Sequence, residues 1–149
     1  MVEDGIAILK VGPALTFALR EGLFALSRME AELIPDPARR SRFVEVLDAA
    51  MLAEPKHWTK HYHGGEDELR LARKYSFSDR SRYYLSQADV QASMKRLFHN
   101  IDESIDQARR PMGMLSQYMP LQYQRVRDGV LPFRARDLVK DCAARVGEV

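Results

Sequence analysis

A single cysteine, Cys142, stands in 149 residues. That excludes an internal disulfide and fits a reducing compartment. Charge of one sign is scarce as well: 23 Lys and Arg face 21 Asp and Glu, a net +2, which leaves no electrostatic footprint for nucleic acid unless the charges are segregated. Long apolar runs are missing. The longest, Ile6 to Leu19, carries Lys10 and Pro13 and is too short to span a bilayer. The opening Met-Val-Glu-Asp-Gly is acidic, the opposite of a secretory leader. No Walker sequence, GxGxxG or GxSxG occurs, and no internal repeat or low-complexity segment. What is present, 46% hydrophobic residues, suffices for one domain with a true core and argues against disorder. The expectation is a soluble, cytoplasmic, compact chain with neither a nucleic-acid nor a membrane partner.

Most of the chain reads as helix. The exception is Ile6-Ala7-Ile8-Leu9-Lys10-Val11, a short apolar run ended by Gly12-Pro13, which has the signature of a buried, parallel-type strand. Pro13 suits the first turn of a helix running to about Leu33, stopped by Pro35-Asp36-Pro37. On that helix Leu15, Leu19, Leu23, Leu26, Met29 and Leu33 form one stripe, Phe17 and Phe24 lie opposite, and Arg20, Glu21, Arg28, Glu30 and Glu32 fall between. Two apolar faces predict a helix packed between two layers. Further helices are predicted over Ala38–Glu54, from an N-cap at Ser86 through Val90, Met94, Leu97, Phe98, Ile101 and Ile105, from Pro111 with a restart at Pro120 and a stop at Gly129, and around Leu138, Val139, Cys142 and Val146. A lone strand has no ladder partners of its own. A strand, a Gly-Pro turn and an amphipathic helix together form the last unit of a repeated β/α architecture. The chain therefore reads as a piece of something larger, in which the leucine stripe would cover neighbouring strands and helices and the segment beyond Pro37 would collapse on the Phe17/Phe24 face.

Polar chemistry concentrates in two places. His57 and His61, four residues apart, with His63 or Glu66 as a third donor, have a metal-ligand spacing if helical. Lys60 lies within the cluster, no fixed fourth ligand is evident, and no structural zinc is predicted; Trp58 is read as a packing anchor. Ser78-Asp79, followed by Arg80, reads as a helix N-terminus able to hold an anion, with Tyr83 and Tyr84 against the core. The arginine pairs at 39/40/42, 125/127 and 134/136 read as solvated faces. Cys142 sits on an apolar stripe and reads as core. No nucleophile–base pair can be assembled, so no catalytic residue and no cofactor is assigned.

Several strings, in order, resemble a known family. They are Leu9 to Glu21, Met51-Leu52-Ala53-Glu54-Pro55, Trp58, Tyr62-His63-Gly64, Tyr75 to Arg80, Arg82-Tyr83-Tyr84 and Leu115 to Pro120. Together they are similar to the non-catalytic Z subunit of class II D-tagatose-1,6-bisphosphate aldolase, the GatZ/KbaZ family. The resemblance implies a (β/α)₈ TIM barrel with a C-terminal helical extension. This chain would hold only the last β/α unit, residues 1–34, and the extension, residues 35–149. The chain itself is then mainly α, and roughly the first two thirds of such a protein would lie outside it.

The resemblance also implies a function. Z subunits support the activity and folding of the catalytic subunit, so the expected partner is that subunit, with self-association as a homo-oligomer and a sugar phosphate as further expectations. The alternative is a barrel enzyme acting on a ketose phosphate such as tagatose 6-phosphate. Lys10 and Gly12 would then stand at the barrel mouth and Arg80 would assist in phosphate binding. Family members bearing a tagatose-6-phosphate kinase label find no nucleotide motif here.

Overall fold

The computed structural model describes residues 13–107 and 111–145. The predicted strand Ile6–Val11, with Lys10 and Gly12, and Val146 of the last helix lie outside the described residues. Within them the chain is helical, with no strand, in seven α-helices: α1 Pro13–Leu33, α2 Phe43–Ala53, α3 Glu66–Tyr75, α4 Ala88–Asp106, α5 Met112–Tyr118, α6 Pro120–Arg127 and α7 Ala135–Ala144. None of these is long and apolar enough to cross a membrane.

Helix α1 is the central element, packed against α7, α4, α5 and α2. Its two faces have the opposite fates to those the sequence suggested. The leucine stripe, expected to cover strands and helices outside this chain, is buried here: Leu19, Leu23, Leu26 and Met29 join the inward residues of α4 and α7 in one core. Phe17 and Phe24, expected to receive the rest of the chain, are only half-buried. The reason is periodicity. Val90, Met94, Leu97, Phe98, Ile101 and Ile105 give α4 a long apolar stripe, and two such stripes remove more surface from water together than a stripe and two rings. Gly22 permits the closest approach. A Cβ there would lie 3.1 Å from Cys142 Sγ and 3.5 Å from the Val139 backbone, so α1 offers bare backbone where the Cys142 side chain and the Val139 backbone of α7 come against it.

The ends of the helices follow local chemistry. After α1 the chain is stopped at Pro35, and Arg40 folds back so that its guanidinium donates to the carbonyls of Ile34, Ala31 and Pro35 at 2.7, 3.1 and 3.2 Å, satisfying C-terminal groups that the helix leaves open. The predicted helix from Ala38 starts only at Phe43, after a short 3₁₀ turn at Pro37–Arg39. Ser41 is responsible. Its N–H and its hydroxyl each donate to the Glu30 carboxylate at 2.8 Å, and Arg42 takes a left-handed conformation, φ 57°. Ser86 is not the cap of α4: Gln87 holds that position without a side-chain bond, and Asp89 accepts from the N–H of Val90. Pro120 restarts the helix after Met119, and Gly129, at φ +79°, ends α6 as predicted. The arginine pairs are not simply solvated faces. Besides Arg40, Arg125 donates to buried Asp141 at 3.0 Å, whereas Arg134 stays on a solvated face, donating to exposed Asp106 at 2.6 Å.

Candidate functional site

Two charged residues on α1 are buried, Arg20 at 2% and Glu30 at 3% exposure. They lie ten residues apart, about 15 Å along a helix, and each organises a segment that crosses the bundle. Glu30 receives Ser41 and the Asn100 amide, which donates to it at 2.7 Å. Arg20 receives the segment between α3 and α4, where most of the ordered strings of the sequence converge. Its Nη1 donates to Asp79 Oδ1 at 3.1 Å and its Nη2 to the Ser76 carbonyl at 2.7 Å. Asp79 Oδ1 also accepts from the N–H and hydroxyl of Ser81, at 2.8 and 2.6 Å. Asp79 Oδ2 is buried without a hydrogen-bond partner, so the carboxylate is held through one oxygen. A buried charge is tolerated in this way only when paired and bonded.

Around this pair the aromatic side chains latch onto backbone carbonyls. Trp58 Nε1 donates to Met51 O at 2.7 Å, Tyr62 OH to Ser78 O at 2.6 Å, and Tyr84 OH to Glu54 O. The Tyr62 hydroxyl also accepts from the Arg80 N–H at 3.1 Å. Burial pushes the phenols of Tyr62 and Tyr84 above their ordinary range, keeping both as neutral donors. Arg73 holds Asp48 on α2 at 2.7 Å and lies over the Trp58 ring. These bonds tie the long irregular connection to the helices around it, and apart from Asp79 Oδ2 they satisfy its buried polar side chains internally.

The outer surface of that connection is different. Arg80 Nε donates to His57 O at 2.9 Å, while Arg80 Nη2 and Arg82 Nη2 both donate to the Tyr83 hydroxyl, at 3.3 and 2.9 Å. The His57 ring stacks on Tyr83 at 4.6 Å with an interplanar angle of 8°. Hydrogen bonding from Arg82 lowers the Tyr83 phenol below its ordinary range. Around the Phe17 face, Phe17 meets the exposed Phe77 ring at 5.3 Å and Phe24 meets Tyr75 at 6.0 Å. They line an open groove of about 480 Å³ with Arg28, Lys74 and Tyr118.

Sequence reasoning located this region but misjudged its parts. Ser78-Asp79 does not open an α-helix. Ser78 N–H donates to Ser76 Oγ, a 3₁₀ turn begins only at Ser81, and Asp79 turns inward to Arg20. Tyr84 is buried as expected, whereas Tyr83 is exposed. His57 ends a 3₁₀ turn rather than sharing an α-helix with His61, and His61 and His63 face solvent. Among the described residues no group of His, Cys, Asp or Glu is arranged to hold a metal ion. Trp58 is the packing anchor expected. Cys142 lies half-buried under Gly22, its thiol pushed up to about 12 by burial, which makes it a poor nucleophile. Arg20 and Glu30 were missed. Their position between the two apolar faces gave no signal, since Glu21, Arg28 and Glu32 fall between the same faces and are exposed.

A sequence model of the family described as D-tagatose-1,6-bisphosphate aldolase subunit GatZ/KbaZ-like matches residues 1–148. Among solved structures, that of a probable tagatose 6 phosphate kinase from Sinorhizobium meliloti 1021 superposes with a TM-score of 0.81 at 39% identity, over 93% of this chain and 34% of that one. The chain thus spans about a third of the length of that relative.

Proposed function

Because this chain belongs to the GatZ/KbaZ-like family of D-tagatose-1,6-bisphosphate aldolase subunits, we propose that it is the C-terminal portion of an accessory, non-catalytic subunit. On this reading it supports the activity and stability of the catalytic aldolase subunit in the cytoplasm, within the breakdown of tagatose phosphates. Residues 1–34 are the last strand and helix of a barrel, and residues 35–149 its helical extension. The observation that carries the reading is how the family-like side chains are used. Trp58, Tyr62, Asp79, Arg80 and Tyr84 all bond back into the body that contains them. Side chains spent on rigidity suit a part that shapes and steadies an assembly.

The test is reconstitution. The catalytic subunit is produced alone and with the full-length family member containing this sequence, and aldolase activity and its half-life on heating are measured. Both are expected to rise with the accessory protein and to fall back when it carries Asp79→Ala, which loosens the latch. Unchanged activity and half-life on adding the unaltered protein overturn the reading.

The name of the Sinorhizobium relative, a probable tagatose 6 phosphate kinase, favours a second reading. The complete protein would act on a ketose phosphate, with Lys10 and Gly12 at the barrel mouth and Arg80 assisting phosphate binding. Calorimetry with tagatose 6-phosphate separates the two. Heat of binding that is lost in Lys10→Ala supports the enzyme reading, and the absence of heat removes it.

A further inference from the structure

We propose that the aromatic groove on the open face of α1 is the seat of the chain's own segment before that helix, residues 4–11, laid back along it in extended form. The leucine face of α1 is already covered by α4 and α7, so an apolar segment entering at Pro13 finds its room on the other side. There Phe17 and Phe24 are half-buried, and the rings beside them stand further out, Tyr75 at 52% and Phe77 at 87% exposure. The groove continues past Ala25 and Tyr118 to Pro120 and Cys142 through a second hollow of about 220 Å³. A continuous apolar surface of this kind marks a place where something docks. Ile6-Ala7-Ile8-Leu9-Lys10-Val11 is the apolar run that meets it, joined to α1 through Gly12 alone.

Length and charge both fit. An extended chain advances about 3.3 Å per residue, so a segment folded back from Pro13 brings Lys10 about 10 Å along α1, Ile8 about 17 Å and Asp4 about 30 Å. At about 1.5 Å per helical residue, Glu21 stands about 12 Å along α1, Phe24 about 17 Å and Arg28 about 23 Å. Asp4, Ile6, Ile8 and Lys10 share one face of an extended strand. Lys10, the one charge of the apolar run, is therefore level with Glu21, the one acid lining the groove, and Ile8 is level with Phe24. Asp4 reaches the end marked by Arg28 and Lys74. Glu21, Arg28 and Lys74 take part in none of the ion pairs among the described residues, so each is available to the segment. This seat rests on the strand-and-helix reading of residues 1–34 and not on the accessory role, and either can fail without the other.

Cross-linking and NMR on the full chain, dilute enough to be monomeric, test it. In the Cys142→Ala chain, Ile8→Cys with Phe24→Cys is expected to close an internal disulfide about tenfold faster than Ile8→Cys with Leu52→Cys, whose second thiol stands exposed on α2. Lys10→Glu is expected to slow that closure about threefold, and adding Glu21→Lys to restore it, with the helical circular dichroism unchanged throughout. In the unaltered chain, nuclear Overhauser contacts should join the Ile6 and Ile8 methyl groups to the Phe17 and Phe24 rings within one molecule. Equal closure rates for the two cysteine pairs overturn the proposal, as does closure indifferent to the Lys10 charge. So do methyl-to-ring contacts that are absent, or that appear only between differently labelled copies, which would give the groove to a second chain.

Discussion

Two sides of α1 are held by different physics. On one, Leu19, Leu23, Leu26 and Met29 interlock with α4 and α7 through apolar contact. On the other, Arg20 fastens the connection between α3 and α4 through one carboxylate and one carbonyl. Apolar packing is graded and tolerates rearrangement, so its loss scales with the volume removed. A buried polar latch is nearly all-or-none, since removing one partner strands the other without water. The leucine side therefore sets how stable the bundle is, and the arginine side sets which path the long connection takes across it.

The sharpest way to break that contrast is Arg20→Ala. It leaves the Asp79 carboxylate buried without a cation and is expected to cost about 3–5 kcal/mol in denaturant unfolding. The cost should fall well below that in the double variant Arg20→Met/Asp79→Leu, which removes both charges. An Arg20→Ala loss under about 1 kcal/mol would place the latch with ordinary surface ion pairs. Leu26→Ala, on the opposite side, is expected to cost about 2–5 kcal/mol. Its effect should add to that of Tyr62→Phe, which removes two hydrogen bonds and leaves the apolar contacts of the ring in place. Tyr62→Phe itself should cost about 1–3 kcal/mol, since the Ser78 carbonyl and the Arg80 N–H both lose their partner.

Gly22→Ala sets helix propensity against packing. Alanine favours the helix by about 1 kcal/mol, but its Cβ meets Cys142 Sγ at 3.1 Å. The single variant is expected to be neutral to destabilising. In a Cys142→Ala background, which removes the sulfur, the same change should be stabilising. A stabilising effect in both backgrounds would show that α1 and α7 are not in close contact there.

At neutral pH the smallest effects belong to titration. The folded Cys142 thiol stays neutral up to about 12 and the unfolded thiol ionises near 9.0. Its contribution to stability is therefore full below pH 9 and falls away as pH rises from there towards 12. A thiol reagent at pH 8 should react slowly with the folded chain and rapidly after unfolding, and Cys142→Ser should flatten the alkaline fall. At the exposed end, Arg134 lowers the Asp106 carboxyl through a hydrogen bond. Carbon NMR should show that carboxyl returning to its ordinary range in Arg134→Gln, with little change in stability, as exposed pairs contribute little.

Much of the helical architecture was legible because it rests on local rules. Pro35, Pro37, Pro120 and Gly129 punctuate helices wherever they stand, by a fixed φ, a missing N–H or a tolerated positive φ. The stripes on α1 and α4 announce burial through their 3.6 period. The family itself was readable from its ordered strings. Less legible were the parts decided by long-range partners. The start of α2 was placed too early because Glu30, eleven residues upstream, takes Ser41. Ser78-Asp79 resembled a cap because its side chains suit one, but the cation that claims Asp79 lies 59 residues away.

The sequence by itself determined where the long helices α1 and α4 run, which apolar stripes want to leave water, and that one cysteine makes no internal disulfide, since each follows from a residue's own chemistry and its near neighbours. Only the tertiary structure decided which face of α1 the rest of the chain covers, because two apolar faces on one helix are equivalent until partners compete for them. It likewise decided that Arg20 and Glu30 are structural, and that Arg80, Arg82 and Tyr83 meet at the surface. A side chain's role depends on what lies within about 3 Å of it, and in a folded chain those neighbours come from anywhere in the sequence.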